Sequence, residues 1–136
     1  MPAAQLVKPT IDIGLVTVNQ DAMVNFYGNV LGFPALPDVP MDGFLVKRFQ
    51  VGDCVLKIVE FESEPGGRAV PGGLGDSTGL RYWTVSVNNL DALLAAVEDS
   101  GQKVVEGPTE VRPGVRIALV GDPDGNLVEF VDRPSS

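Results

Sequence analysis

The feature of this sequence that most constrains its fold is an order of predicted elements that occurs twice. Residues 11–18 (IDIGLVTV) are rich in β-branched side chains and predict a buried strand. A helical stripe of apolar side chains follows over 21–31. The same pair returns as a strand over 81–87 (RYWTVSV) and a stripe from Leu90 to Val97. A plain mixture of helix and strand has no need to repeat this order.

Each of the two units closes with an extended segment and a hairpin. In the first unit, the proline-rich segment 33–42 predicts a short edge strand, and strands 44–51 and 54–61 meet at Gly52-Asp53. In the second unit, the corresponding segments are a short strand over 103–105 and a hairpin of strands 115–120 and 126–131.

The two units align at one offset. Four pairs of residues stand 69 positions apart, namely Val16 with Val85, Val18 with Val87, Asn19 with Asn88, and Gly32 with Gly101. The pattern predicts an α+β chain of two βαβββ modules, with module one at about 8–62 and module two at about 80–132. A flexible connector rich in glycine and proline covers 62–79, and we expect one domain over 1–136.

Composition excludes several kinds of site. The chain carries a net charge of -8 with scattered basic residues, so we expect no nucleic-acid partner. It has no histidine and one cysteine, which excludes histidine-based catalysis and metal sites built on histidine or several thiolates. The sequence shows no signal peptide and no membrane-spanning apolar run, which predicts a cytoplasmic protein without membrane contact.

Two motifs resemble a known superfamily. The stretch DPDGNLVEFVD (122–132) resembles the closing motif of the vicinal oxygen chelate proteins, which include glyoxalase I, bleomycin-resistance proteins and extradiol dioxygenases. The stretch NFYGNVLGF (25–33) resembles the signature of their first helix. The resemblance implies curved mixed sheets that form a cavity for a small organic molecule, helices on the outside, and a homodimer. It leaves open whether the modules pair within one chain or exchange between two chains.

The resemblance also implies four positions for metal ligands, on the first and last strand of each module. These positions fall on Ile13, Lys57, Tyr82 and Glu129. An aliphatic side chain, a cation, a phenol and one carboxylate do not suit a divalent metal, so we expect no metal and no cofactor. A slip of one residue in the first strand would bring in Asp12 and weaken this expectation.

Strand alternation predicts which side chains share the cavity with these positions. On the two first strands, Thr84 and Ser86 join Tyr82, and Leu15 and Thr17 join Ile13. Arg48 and Gln50 share one face of a central strand, and Arg116 begins the last hairpin. We expect contacts with the ligand from these residues, with solvent as the alternative surrounding for Arg48, Gln50 and Arg116. The predicted ligand-binding residues are Ile13, Leu15, Thr17, Arg48, Gln50, Thr84, Ser86 and Arg116.

Two functions fit this site. In the first, the chain is a metal-independent lyase or isomerase in which Glu129 is the general acid or base, Lys57 holds Glu129 ionised and Tyr82 orients a substrate oxygen. In the second, the chain binds a drug or metabolite without chemistry. For that case Glu129 and Lys57 form an ion pair, and Tyr82 belongs to the core. A regulatory or accessory domain is a third interpretation.

Overall fold

The computed structural model describes residues 2–70 and 72–133. Module one contains the strands β1 (Ile13–Val16), β2 (Ala35–Met41), β3 (Phe44–Val51) and β4 (Cys54–Phe61). Module two contains β5 (Tyr82–Val87), β6 (Val104–Arg112), β7 (Val115–Gly121) and β8 (Leu127–Asp132). The first helix is α1 (Gln20–Val24), which continues as a π-helical segment over Asn25–Val30, and the second is α2 (Leu90–Asp99).

Each module forms one mixed four-stranded sheet of the same topology. The strand orders are β1-β4-β3-β2 and β5-β8-β7-β6. The first and last strands of each module pair in parallel, and the other neighbours are antiparallel. The predicted α+β architecture of two βαβββ modules is therefore confirmed. Strand β6 is longer than the three residues expected, because it follows β7 through several register shifts.

One face of each sheet packs into a core shared by both modules. Met23, Phe26 and Tyr27 of the first helix are almost fully buried, and so are Ile58 on β4 and Phe130 on β8. The ring of Tyr27 lies 6.0 Å from that of Trp83 on β5, so the first helix contacts the second sheet. We call the opposite face of each sheet, which points away from this core, its open face.

Both helices begin against a carboxylate from the last strand of their own module. The backbone N–H of Gln20 donates to Glu60 at 3.1 Å, and that of Leu90 donates to Asp132 at 3.2 Å. The flanking residues Asn19 and Asn89 make no side-chain cap bond. A carboxylate at a helix N-terminus satisfies an otherwise unpaired donor and interacts favourably with the helix dipole.

The first helix is one residue longer than the second, and the π-helical segment holds that residue. The N–H of Leu31 donates to the carbonyl of Phe26, five residues earlier, which is the wide turn of a π-helix. Gly28 lies in this segment, where a Cβ would stand 2.8 Å from the Phe49 ring. The absence of a side chain at Gly28 therefore lets the helix approach β3 closely.

No helix within the described ranges has the length and apolar character that crossing a membrane requires.

Candidate functional site

The open face of module two holds the predicted carboxylate. Tyr82, Thr84 and Ser86 are exposed on β5, whereas Trp83 and Val85 pack on the core, as strand alternation predicts. Thr84 stands opposite Glu129 of β8. Its hydroxyl donates to Glu129 Oε1 at 2.8 Å, which fixes one carboxylate oxygen, and the other accepts no hydrogen bond from the described residues.

Apolar side chains frame Glu129 on its own strand. Leu127 and Val131 stand two residues to either side and are 3% and 6% exposed. Leu119 lies directly opposite Glu129 on β7 and is 3% exposed. Tyr82 is 49% exposed, so its ring is not part of the core of the single chain. The result is a carboxylate on an apolar floor beside an exposed phenol.

Module one departs from the expected arrangement by one residue. Ile13 and Leu15 pack against the shared core, and Thr17 is buried with its hydroxyl accepting from the Asn19 N–H at 2.8 Å. The expectation that these three side chains face the cavity is wrong. Gly14 and Val16 lie on the open face instead.

The extra residue of the π-helical segment explains this error. Gly32 and Gly101 end the two helices at an offset of 69, and both have a positive φ. The residues before the helices match at 70, since Asn19 corresponds to Asn89. An alignment that uses the offset of 69 throughout therefore misplaces the first strand by one residue and assigns its side chains to the wrong faces of the sheet.

Lys57 occupies the position in module one that Glu129 has in module two. Lys57 pairs with Gly14 in a parallel ladder, as Glu129 pairs with Thr84. The two side chains lie on different sheets. Among the ion pairs of residues 2–70 and 72–133, none joins Lys57 to Glu129.

The corrected register places Asp12 where Ile13 was expected. Asp12 precedes Gly14 by two residues, and its Oδ1 accepts from Lys8 Nζ and from the Val55 N–H, each at 2.9 Å. Hydrogen bonds from Lys8 and Val55 hold the pKa of Asp12 below its ordinary value. Asp12 is therefore ionised at neutral pH and already has two donors.

The donor set does not fit a divalent metal. The four positions become Asp12, Lys57, Tyr82 and Glu129, and the ammonium group of Lys57 opposes a bound dication. In the part of the chain that the structure describes, no three potential ligands among Asp, Glu, Cys and His cluster together.

The remaining predicted residues separate into two environments. Arg48 and Gln50 lie on the open face of module one, opposite Lys57 and Val55. Gln50 Nε2 donates to the Gly52 and Cys54 carbonyls, at 2.6 and 3.3 Å, and so holds the hairpin turn.

Arg116 lies on the other face of its sheet, at the start of α2. It pairs with Asp91 at 2.9 Å and with Asp132 at 3.4 Å. These carboxylates raise the pKa of Arg116, with the Asp91 hydrogen bond as the main cause. A shallow cleft of about 490 Å³ between the end of α2 and β6, beside Glu98 and Lys103, shares no residue with either open face.

The structure contains a buried hydrogen bond between the modules that the sequence patterns did not predict. The Tyr27 hydroxyl donates to Asp122 Oδ2 at 2.7 Å. Asp122 also accepts from the Asp124 and Asn126 N–H groups and from Asn126 Nδ2, all at 2.9 Å. Burial raises the pKa of Asp122, and burial together with that carboxylate raises the pKa of Tyr27 well above its usual range.

The sequence does carry a signal for this bond. Tyr27 lies in the aromatic pair of NFYGNVLGF, and Asp122 and Asn126 lie in DPDGN. These are the two motifs that carry the family resemblance, and their spatial contact gives them a shared structural role.

Solved structures share this architecture. A glyoxalase family protein from Bacillus cereus matches with a TM-score of 0.84 at 12% identity, covering 99% of both chains. A glyoxalase family protein from Enterococcus faecalis matches with a TM-score of 0.64 at 21% identity, covering 90% of this chain and 92% of that one. TnmS3, an antibiotic binding protein from Streptomyces sp. CB03234, matches with a TM-score of 0.66 at 22% identity, covering 96% and 100%.

At these identities the likeness shows the fold alone. No curated protein sequence matches this chain. A family model, however, matches residues 11–130, which is most of the chain. With two βαβββ modules and that match, the chain belongs to the Glyoxalase/Bleomycin resistance protein/Dioxygenase superfamily.

Proposed function

We propose that the chain binds a small organic molecule against the open face of module two, with Glu129 as its central polar contact. The supporting observation is the carboxylate held by Thr84 at 2.8 Å above buried Leu127 and Val131. An apolar floor with one oriented polar group is typical of small-molecule sites. The antibiotic binding described for TnmS3 is consistent with sequestration of a ligand as the outcome.

Catalysis is the second candidate, and the same carboxylate favours it. One oxygen of Glu129 is fixed by Thr84 and the other is free, which is how a general acid or base is oriented toward a substrate. In this version the chain is a metal-independent lyase or isomerase. Tyr82 is exposed beside Glu129 and is available to orient a substrate oxygen.

Replacing Glu129 with glutamine separates the two candidates. Glutamine keeps the acceptor for Thr84 but cannot exchange a proton at neutral pH. If the chain only binds, with Glu129 as its central polar contact, ligand affinity falls by roughly three- to tenfold, because one neutral hydrogen bond replaces a charged one. If Glu129 is an acid or base, turnover falls by roughly 10²- to 10⁴-fold with little change in binding.

The measurement begins with the ligand retained by the purified protein, identified by native mass spectrometry. Titration calorimetry and product analysis of that ligand then compare the wild type with Glu129→Gln. Thr84→Val is the matched control, because it removes the hydrogen bond to Glu129 but keeps the charge of the carboxylate. A retained ligand that binds wild type and Glu129→Gln equally, without turnover in either, would exclude Glu129 from the site.

We also propose that a second copy of the chain covers the open faces. Several large apolar side chains on these faces are exposed in the single chain, among them Val16 at 55%, Phe61 at 44% and Tyr82 at 49%. Exposed apolar surface of this kind marks contact with another molecule. In a symmetric dimer, module one of one copy can face module two of the other, and the cavity is then built from both chains.

Light scattering at micromolar concentration is expected to show a dimer. Val16→Glu places a charge on the open face at an exposed position and is expected to give a folded monomer. Val111→Glu, on the edge strand β6 and similarly exposed at 50%, is the control and keeps the dimer. A wild-type monomer at this concentration contradicts the proposal.

A further inference from the structure

We infer that the ligand of this chain carries an oxyanion, and that Lys57 and Arg48 on the open face of module one bind it. This inference rests on the proposed small-molecule function and names the chemical class of the ligand. It concerns a different sheet from the one that holds Glu129, and in the proposed dimer this sheet faces Glu129 of the second copy across one cavity.

The two cations are neighbours across adjacent strands. Lys57 of β4 and Arg48 of β3 stand directly opposite each other and point to the same face. Side chains in such pairs lie about 5 Å apart at Cβ, and like charges there repel each other. Both residues are half-buried.

Neither cation has a carboxylate partner within residues 2–70 and 72–133. Arg48 Nε donates to the Pro37 carbonyl at 3.0 Å, which orients the guanidinium group and leaves both of its terminal nitrogens available. The neighbouring Lys47 points to the other face of β3 and pairs with Asp38 at 2.7 Å. Of the two cations on β3, Lys47 is therefore neutralised by Asp38, and Arg48 remains available to a partner outside the chain.

The local charge is positive in a strongly acidic protein. Asp12 is the nearby carboxylate on this side of β1, and Lys8 binds both of its oxygens at 2.9 and 3.1 Å. Lys8, Lys57 and Arg48 bring three positive charges against the one negative charge of Asp12. A local excess of two positive charges contrasts with the net charge of -8 for the whole chain. An oxyanion between Lys57 and Arg48 relieves their repulsion through charge-assisted hydrogen bonds.

The same face has room for the ligand beside these cations. Gly14 stands next to Lys57 on β1, and a Cβ there would meet no atom within 4 Å. The adjacent row across the sheet is apolar, and its members are Val16, Val59, Val46 and Val39. A row of two cations beside a row of valines fits a molecule with an apolar body and one carboxylate or phosphate group.

Three probes with the same body and different charges test this. Phenylacetate, 2-phenylethanol and phenethylammonium are titrated into the full-length protein and followed by amide NMR. We expect phenylacetate to bind roughly tenfold or more tighter than the alcohol, because hydrogen bonds to charged groups are the stronger ones. Inorganic phosphate is expected to shift the same amide signals as the phenylacetate carboxylate.

Variants test whether Lys57 and Arg48 cause the preference for the anionic probe. Lys57→Gln with Arg48→Gln is expected to abolish the preference for the anion, and Gly14→Leu to block binding while keeping both charges. Lys47→Gln removes one charge from the opposite face of the same strand and is the matched control. It is expected to leave the preference unchanged, and an equal loss in this control would attribute the effect to net charge and overturn the inference.

Equal binding of all three probes, or binding of none, also overturns the inference. Equal binding would mean that another group already neutralises the cations. Glu129→Gln would then create a preference for the anion if Glu129 of a second copy were that group. A neutral or cationic ligand found by native mass spectrometry would refute the oxyanion and leave the proposed small-molecule function standing.

Discussion

Replacing Asp122 with alanine is expected to destabilise the chain by roughly 3 kcal/mol or more, because several hydrogen bonds to one buried carboxylate are lost together. The Tyr27 hydroxyl is buried and has its acceptor in Asp122 at 2.7 Å. The alanine leaves that hydroxyl, two backbone N–H groups and Asn126 Nδ2 without this acceptor. Each hydrogen bond to a charged group contributes about 1.5–3 kcal/mol, and the contributions are not additive.

Urea unfolding at neutral pH measures this loss, with Trp83 fluorescence as the signal. Trp83 is the one tryptophan of the sequence and lies 6.0 Å from the Tyr27 ring, so it reports on this junction. Asp124→Ala is the control, because Asp124 is an exposed residue of the same turn, and we expect a change within about 0.5 kcal/mol.

Tyr27→Phe isolates the bond between the modules. The phenylalanine ring keeps the packing of Tyr27, and Asp122 retains its three other donors, so the expected loss is about 1.5–3 kcal/mol. In a double-mutant cycle, Tyr27→Phe should add little to Asp122→Ala. Full additivity of the two losses would show that the hydroxyl and the carboxylate do not stabilise each other.

Replacing Gly107 with alanine is the second substitution with a large expected effect. Gly107 has a φ of 85°, and a Cβ there would stand 2.5 Å from the carbonyl oxygen of Ile117 and 3.1 Å from Ala118 Cα. The left-handed conformation costs a residue with a side chain about 1–2 kcal/mol. The contact with the backbone of β7 adds roughly 1–3 kcal/mol, since the neighbouring strand has to shift.

Gly101 provides a matched comparison. Its φ is 87°, nearly the same, but a Cβ there would meet no atom within 4 Å. Gly101→Ala therefore carries the conformational cost alone, about 1–2 kcal/mol. Chemical unfolding of both variants gives the difference, which is the contribution of the close approach between β6 and β7. Equal losses would mean that the strands move apart freely at Gly107.

Much of the fold could be predicted from the sequence, because the spacing of apolar residues alone identifies the strands and helices and their order. The alternation in β5 correctly separated Trp83 from Tyr82 and Thr84, since one set is apolar and the other is polar. Strand β1 has no such contrast. Its two faces carry Ile13 and Leu15 against Gly14 and Val16, so apolar side chains occur on both and the pattern does not fix the register.

The environment of charged residues could be predicted less well. Arg116 was expected near a ligand, but its partners Asp91 and Asp132 lie 25 and 16 residues away, on a helix and a neighbouring strand. A sequence offers no periodic signal for pairs of this kind. Lys57 and Arg48 share one face of the assembled sheet, and only the assembled strands reveal that neither has a carboxylate partner among the described residues.

The carboxylates that begin the two helices bear on the order in which the chain can fold as it is synthesised. The first helix meets its Glu60 partner only after 40 further residues have been made. Tyr27 lacks its hydrogen-bond acceptor for longer, because Asp122 follows it by 95 residues. An N-terminal half released alone would leave Tyr27 and the rest of the helix face that contacts module two exposed to solvent. The nascent chain therefore reaches its stable form near the end of translation, as one cooperative unit and not as two independent halves.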